Sequence, residues 1–196
     1  CSSDLHDNLV IERLSEEHAT VKVQGTTSLQ PGDRVLITGA SGGVGTAAVQ
    51  VAARARAKVF AVTGGADKVT LMRELGAHVV YDRHEVDFSR EVWRDTDKQG
   101  VDVVFDTVGE DVWVKCLRAL AVGGRLVTSG ATTGSRGVTE LRLVFWKQLE
   151  ILGSTMGTPT EFREVMRLVF DGAFVPVVQE VMPLEDTRRA HEILEA

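Results

Sequence analysis

The chain has 196 residues, of which 43% are hydrophobic and 26% charged, as is typical of an ordinary globular protein with one well-packed domain. Its net charge is −6 and no run of lysine or arginine stands out, which argues against nucleic acid or an anionic membrane as a partner. The longest apolar stretches are strand-sized, far short of the roughly 18 residues that a bilayer span requires. The only cysteines, Cys1 and Cys116, are too few for a disulfide framework or a zinc site, so we expect a reducing, cytoplasmic setting and no bound metal.

Two short runs rich in β-branched residues open the chain. Residues 9–14 and 20–24 flank a polar turn at 15–18, a pattern that predicts a β-hairpin. We assign residues 1–30 to this N-terminal segment. From Pro31 onward the pattern changes to a regular alternation of strands and helices.

The alternation predicts six strands in one sheet. Apolar runs place these strands at residues 34–38, 58–62, 79–81, 101–106, 125–128 and 150–154. Helical patterns between them cover residues 46–57, 67–75, 87–96, 112–120 and 140–148. Strands separated by helices of this length form right-handed crossovers in a parallel sheet. We therefore predict an α/β fold, a doubly wound, parallel, six-stranded Rossmann sheet with strand order 3-2-1-4-5-6.

Three further elements follow the sixth strand. Thr158 and Glu161 enclose Pro159 in a capping box, which predicts a helix that ends before Gly172. Residues 175–181 predict a strand, and residues 185–195 a last helix. The domain boundaries that we predict are 31–174 for the Rossmann domain and 175–196 for a C-terminal segment.

A glycine-rich run occupies residues 39–45, with the sequence Gly-Ala-Ser-Gly-Gly-Val-Gly. It directly follows the first strand of the alternation and precedes a helix, which is the context of a dinucleotide-binding loop. Gly42 would let the backbone approach a pyrophosphate, and the amides near Gly43 and Val44 would face this anion with the helix dipole behind them. Ser41 is a further candidate contact in the same run. A glycine-rich turn that binds nothing is the alternative interpretation. The run lacks a Gly-Lys-Ser/Thr ending, which excludes a nucleoside-triphosphate P-loop.

The end of the second strand of the alternation distinguishes between the two nicotinamide dinucleotides. Sites that prefer NAD place Asp or Glu there to bind the ribose 2′-hydroxyl. Here Thr63 and Gly64 occupy that place, and no carboxylate follows before Asp67. Small residues leave room for a 2′-phosphate, and Lys68 or Arg83 could supply its positive charge, although each could also be a solvated surface residue. NADP(H) is therefore favoured over NAD(H).

The glycine pattern also fits the short-chain dehydrogenases, which need a Tyr-x-x-x-Lys pair. The only tyrosine, Tyr81, is followed four residues later by Glu85, so that family is rejected. From Pro31 onward the chain instead resembles the medium-chain dehydrogenase/reductase superfamily, in particular its quinone oxidoreductase-like members. The motifs that carry this resemblance are residues 31–35, 40–45, 75–77, 100–106, 123–127 and 151–154.

The resemblance implies further cofactor contacts beyond the glycine-rich run. They come in pairs after the fourth, fifth and sixth strands: Thr107 and Val108, Ser129 and Gly130, and Ser154 and Met156. The alternative interpretation of Met156 is a side chain that fills the core. The resemblance also implies a homodimer in which residues 150–154 pair with the same strand of a second copy.

The family also has a catalytic domain before its Rossmann domain, to which the chain returns at the end. Only residues 1–30 precede Pro31, and residues 175–196 resemble the beginning of that return, so we expect this chain to be incomplete for catalysis and name no catalytic residue. The function implied is the NADP(H)-binding domain of an oxidoreductase that transfers hydride to or from a small quinone, enone or carbonyl/alcohol substrate. The alternatives are a non-catalytic dinucleotide-binding or interaction module and, more remotely, a methyltransferase.

Several other side chains suggest chemistry but have simpler interpretations. Asp106 is expected to fix a turn or to bond a backbone amide, and Cys116 to be a buried structural thiol. The histidines are scattered without metal-ligand spacing, so we expect solvated or packing roles for His6, His18, His78, His84 and His191.

Overall fold

The computed structural model describes residues 11–12, 20–23 and 27–195. A small antiparallel sheet comes first, with the order β1-β2-β3. Its strands are β1 (Ile11–Glu12), β2 (Thr20–Val23) and β3 (Thr27–Leu29). Ile11 pairs with Val21, which confirms the predicted pairing of the first two runs. The predicted turn at 15–18 lies outside the described residues, as do Cys1, His6 and His18.

The second sheet has six parallel strands in the order β6-β5-β4-β7-β8-β9, which confirms the predicted doubly wound topology. The strands are β4 (Arg34–Ile37), β5 (Lys58–Thr63), β6 (Val79–Asp82), β7 (Val101–Asp106), β8 (Leu120–Thr128) and β9 (Glu150–Gly153). The α-helices are α1 (Gly43–Arg54), α2 (Asp67–Glu74), α3 (Phe88–Asp95), α4 (Trp113–Ala119), α5 (Leu141–Lys147), α6 (Pro159–Phe170) and α7 (Thr187–Glu195). A short 3₁₀ helix, Leu184–Asp186, precedes α7.

Apolar side chains cover both faces of this sheet. Alternation along β4 sends Val35 and Ile37 into the cluster that contains Met72 of α2, and Leu36 into the cluster on the opposite face. Cys116 of α4 is fully buried in the second cluster, as predicted, and this burial raises the pKa of its thiol. A sheet buried on both faces holds its strand ends in fixed relative positions.

Two element boundaries differ from the sequence prediction in informative ways. Helix α1 begins at Gly43 rather than Thr46, so the last glycines of the glycine-rich run form its first turn. Strand β8 begins at Leu120 rather than Arg125, because Leu120 pairs with Val101 ahead of an irregularity in the β7–β8 register.

The predicted strand at residues 175–181 is wrong, because this stretch forms neither strand nor helix. A strand needs a neighbour for its backbone groups, and Val175 instead bonds to a side chain. Gln50 of α1 accepts from the Val175 amide at 2.9 Å and donates to its carbonyl at 3.0 Å. The β-branched residues of this stretch are exposed, to 66% at Val178 and 87% at Val181.

Within the described ranges, no helix combines the length and the apolar character that crossing a membrane requires.

Candidate functional site

The predicted site residues lie along one edge of the six-stranded sheet, beyond the carboxyl ends of its strands. Hydrogen bonds join the residues that follow neighbouring strands: the Ser129 amide donates to the Asp106 carbonyl at 3.0 Å, and the Ser154 amide donates to the Thr128 carbonyl at 2.9 Å. The strand order reverses beside β4. Ligands of doubly wound sheets bind in the crevice at such a reversal.

The N-terminus of α1 faces this crevice without a capping side chain. Gly42 is its N-cap residue, and the first turn contains no acidic residue. Gly42, Gly43 and Val44 are exposed, and Ser41 is half-buried. The first amides of a helix have no intrahelical acceptor and carry the positive end of the helix dipole, so this terminus can bind an anion.

Close approaches of neighbouring atoms favour glycine at two positions of the run, Gly45 and Gly39. A Cβ on Gly45 would overlap the carbonyl oxygen of Gly39 and lie 2.6 Å from the Cα of Ala40. Gly39 itself has a φ of +58°, and a Cβ there would lie 2.9 Å from Thr107 Oγ1 and 3.1 Å from Val108 Cγ2. Thr107 and Val108, which the resemblance assigned to the site, therefore pack against the glycine-rich run.

Asp106 holds the end of β7 in place, which confirms its predicted role in fixing a turn. Its carboxylate is fully buried and accepts from the Thr38 hydroxyl at 2.5 Å. It also accepts from the amides of Val108 and Gly109, each at 3.1 Å. These bonds link the end of β4 to the residues that follow β7.

At the end of β5 the structure brings the side chains of Arg83 and His84 to Gly64. The Arg83 amide donates to the Thr63 carbonyl at 2.9 Å, which places the turn after β6 beside this strand end. A Cβ on Gly64 would lie 2.9 Å from Arg83 Nε and 3.0 Å from His84 Nε2. The sequence analysis selected Arg83 but interpreted His84 as a solvated or packing residue. His84 follows Arg83 directly in the sequence, so the selection of Arg83 could have pointed to His84 as well.

Lys68, the other predicted cation, lies in the first turn of α2 with an exposed side chain. Its amide donates to the Gly65 carbonyl at 3.2 Å, so it belongs to the turn that leaves β5. The structure therefore places Lys68 near this strand end through its backbone, whereas Arg83 reaches Gly64 with its side chain.

Asp82, the last residue of β6, organises the same loops. Its carboxylate accepts from the His84 amide at 3.0 Å and the Gly65 amide at 3.1 Å. The hydrogen bond from the His84 amide is the main cause that lowers the pKa of Asp82, and the nearby Arg83 and His84 side chains act in the same direction. Asp82 ends the third strand of the alternation, whereas a site that prefers NAD places its carboxylate at the end of the second strand. The oxygens of Asp82 accept hydrogen bonds from loop amides.

The loops after β7 and β8 pack on each other. A Cβ on Gly130 would lie 2.7 Å from the Thr107 carbonyl oxygen. The amide and the hydroxyl of Thr133 both donate to the Val108 carbonyl at 2.9 Å. Ser129 is exposed beside them.

Beyond β9, Ser154 is half-buried. Met156 is 90% exposed with a φ of +57°, which rules out the alternative that it fills the core. Of the described histidines outside the site, His78 accepts from the Val59 amide at 3.1 Å and His191 is exposed. Nowhere in the described part of the chain do three or more His, Cys, Asp or Glu residues form a group that could hold a metal ion.

Sequence comparison gives matches to several enzymes. Over 153 residues the chain is 33% identical to a mycocerosic acid synthase-like polyketide synthase of Mycobacterium tuberculosis, a match that covers 76% of this chain and 7% of the synthase. It is 32% identical over 168 residues to an acryloyl-coenzyme A reductase of Sulfurisphaera tokodaii, covering 85% of this chain and 48% of the reductase. It is 30% identical over 172 residues to human quinone oxidoreductase, covering 84% and 51% respectively.

Solved structures share the fold over the same region. Crotonyl-CoA carboxylase/reductase AntE in complex with NADP matches with a TM-score of 0.81 and 26% identity, covering 87% of this chain and 48% of AntE. An NAD-dependent alcohol dehydrogenase matches with a TM-score of 0.80 and 38% identity, covering 85% of this chain and 49% of the dehydrogenase. The chain thus spans about half the length of the reductase and dehydrogenases that it matches, and a small part of the synthase.

Fold and site together define a dinucleotide-binding domain of the doubly wound class. The family model described as zinc-binding dehydrogenase matches residues 43–171, and the chain belongs to this family, within the medium-chain dehydrogenase/reductase superfamily. It corresponds to the NAD(P)-binding domain of a medium-chain oxidoreductase.

Proposed function

We propose that this chain is the NADP(H)-binding domain of a reductase whose substrate is a small molecule with a carbonyl-conjugated double bond or a quinone. Acryloyl- and crotonyl-coenzyme A, which appear in the names of two relatives, are α,β-unsaturated thioesters and favour the enone type of acceptor. The nicotinamide supplies or accepts the hydride when the cofactor is bound.

The observation that carries the proposal is the pair of anion-binding features at one edge of the sheet. The uncapped N-terminus of α1 suits a pyrophosphate, because its amides at Gly43 and Val44 are the free donors of a helix start. The end of β5 suits a ribose 2′-phosphate, because Thr63 and Gly64 are small and the Arg83 side chain lies beside Gly64. A dinucleotide with three phosphates needs both features.

The remaining predicted contacts would orient the nicotinamide end. Thr107 and Val108 pack against the glycine-rich run, and Ser129, Gly130 and Ser154 continue along the same edge toward β9. The chain spans about half the length of the reductase and of the dehydrogenase that it matches. We therefore propose that this chain binds and orients the cofactor, and that it is incomplete for turnover by itself.

The cofactor preference is tested by measuring dissociation constants for NADPH and NADH, together with 2′,5′-ADP and 5′-AMP. A hydrogen-bonded contact between a cation and a phosphate contributes about 1.5–3 kcal/mol, so we expect at least roughly tenfold tighter binding of NADPH. Arg83→Ala should weaken NADPH binding about tenfold and leave NADH binding unchanged. The matched control is Arg90→Ala on α3, whose side chain is 87% exposed and which should change neither constant.

Three outcomes would contradict parts of this proposal. Equal or tighter binding of NADH would overturn the preference for NADP(H). Turnover of a quinone or an enone by this chain alone would overturn its incompleteness. Binding of neither dinucleotide would favour the second candidate, a non-catalytic interaction module.

A further inference from the structure

Helix α1 carries a polar stripe that faces the residues following α6. Thr46, Gln50 and Arg54 succeed each other at intervals of four residues, so they share one face of the helix. Arg54 Nη1 donates to the Ala173 carbonyl at 3.3 Å. Thr46 and Gln50 are buried although they are polar, with exposed fractions of 5% and 8%. The proposed function uses neither of these buried side chains.

Gln50 engages both polar atoms of its side chain. Its Oε1 accepts from the Val175 amide at 2.9 Å, and its Nε2 donates to the Val175 carbonyl at 3.0 Å. The same Nε2 also donates to the Thr46 carbonyl at 3.3 Å. Burial of an amide group is unfavourable unless hydrogen bonds of this kind satisfy it. The side chain of Gln50 and the backbone of Val175 therefore hold each other in place.

Val175 is the point at which the chain leaves the packed domain. Phe174 is 7% exposed, whereas Val175 is 60% exposed and residues 176–181 are all exposed. The bonds to Gln50 thus attach the C-terminal segment to α1 at its first residue. We call this pair of hydrogen bonds the C-terminal attachment.

The other end of α1 is intrinsically weak as a helix. Its first turn contains Gly43 and Gly45, and its N-cap glycine supplies no side-chain hydrogen bond. Glycine disfavours helix, so contacts with the rest of the molecule must keep this turn helical. The Thr46 hydroxyl donates to the Gly43 carbonyl at 3.0 Å, and the Thr46 carbonyl accepts from Gln50. Hydrogen bonds therefore lead along one face of α1 from its first turn to Val175.

We propose that Gln50 is a positioning residue for the dinucleotide, because its bonds to Val175 order α1 and so prepare the first turn for the pyrophosphate. This inference rests on the proposed function, since it needs a dinucleotide at the N-terminus of α1. Two binding events that order the same helix are coupled, and the coupling is reciprocal. The C-terminal attachment strengthens dinucleotide binding, and a bound dinucleotide strengthens the C-terminal attachment.

Amide hydrogen exchange of Val175, followed by NMR with and without saturating NADPH, measures this coupling. Wild type is compared with Gln50→Met, which has a similar size but cannot form the C-terminal attachment. The control is Gln99→Met, the same replacement at an exposed glutamine that accepts from Arg34 at the start of β4. We expect NADPH to slow the exchange of Val175 at least about fivefold in wild type and in Gln99→Met, and not at all in Gln50→Met.

Reciprocity extends the prediction to affinity. Gln50→Met should bind NADPH at least about fivefold more weakly than wild type, and Gln99→Met should bind it equally well. If Gln50→Met does not fold, Gln50→Glu replaces it, because Glu keeps an acceptor for the Val175 amide and loses the donor to its carbonyl. The effect of NADPH on exchange should then be smaller than in wild type.

The outcomes separate this inference from the proposed function. If NADPH binds wild type but leaves the exchange of Val175 unchanged, or slows it equally in the Gln50 variant, the inference is wrong and the proposed function stands. A weaker affinity of the Gln50 variant without any effect of NADPH on Val175 in wild type would mean that Gln50 only stabilises the fold. If NADPH does not bind wild type, the proposed function fails and the inference fails with it.

Discussion

Asp106 illustrates how a single side chain can link the fold to the site. Burial of a carboxylate is unfavourable unless hydrogen bonds satisfy its oxygens, and here the Thr38 hydroxyl and two amides do so. Two of the three donors belong to the stretch that begins at Thr107, which packs against Gly39. Asp106 therefore positions the residues that follow β7, which the proposed function assigns to the nicotinamide end of the site.

Asp106→Asn replaces one acceptor oxygen by a donor group and sets it against at least one donor among the Thr38 hydroxyl and the amides of Val108 and Gly109. Leaving a buried polar group unsatisfied lowers the free energy of unfolding by about 1–3 kcal/mol, which urea denaturation would measure. We also expect weaker NADPH binding with unchanged binding of 2′,5′-ADP, because the affected loop lies away from Gly64.

The exposed neighbour Asp111 supplies the control, and Asp111→Asn should alter neither quantity. Equal losses of affinity for NADPH and 2′,5′-ADP in Asp106→Asn would mean that the variant disturbs the whole site, and would contradict the positioning role. Thr38 donates one of the hydrogen bonds that Asp106 accepts. Thr38→Ser keeps the donating hydroxyl and is therefore a milder variant than Asp106→Asn.

Helix α6 shows an element whose start is encoded locally. The Thr158 hydroxyl accepts from the Glu161 amide at 3.2 Å, and the Glu161 carboxylate accepts from the Thr158 amide at 2.5 Å, with Pro159 in the first turn. These groups are near each other in sequence, so the capping box was predictable without knowledge of the tertiary structure.

Thr158→Ala removes one half of this box. We expect the free energy of unfolding to fall by about 1 kcal/mol, measured by chemical denaturation, because an orphan amide loses its acceptor. Thr160→Ala is the matched control in the same helix, where an exposed threonine is replaced and no stability should be lost. A similar loss in both variants would show that the loss does not come from the capping hydrogen bond.

The elements that the sequence could not predict depend on distant neighbours. Residues 175–181 have the β-branched composition of a strand, but β propensity supplies no pairing partner, and Gln50 of α1 takes the backbone of Val175 instead. The early start of β8 depends on the pairing of Leu120 with Val101. The strand order was predictable, because crossover rules leave few arrangements for alternating strands and helices.

The candidate site also combines features that the sequence predicts with features that depend on tertiary contacts. The glycine-rich run was recognisable because its chemistry lies within seven consecutive residues, whereas the approach of His84 to Gly64 depends on the pairing of β5 with β6. The same pairing brings Arg83, which the sequence offered as a cation for the 2′-phosphate, to Gly64. The exposed position of Met156 excludes the alternative that it fills the core. A pattern in a single sequence does not contain the exposure of a side chain. The domain boundaries at residues 31–174 stay a prediction.

At the scale of the whole molecule, the β9 side of the sheet exposes large apolar side chains. Strand β9 is an edge strand, and Ile151 on it is 41% exposed. Helix α5, which precedes it, exposes Leu141 to 71%, Phe145 to 62% and Trp146 to 74%. An edge strand beside exposed large apolar side chains is a surface that a second chain can cover.

We expect this chain to form a homodimer in which β9 pairs with β9 of a second copy. Ile151→Lys should convert the dimer to a monomer, because each copy would bring a charged lysine into the interface in place of an apolar side chain. Sedimentation velocity at several protein concentrations would measure the shift. Val122→Lys is the control, since Val122 is 72% exposed on β8 outside its register with β9 and should leave the dimer intact. A wild-type chain that stays monomeric at high concentration, or an Ile151→Lys variant that stays dimeric, would contradict this assembly.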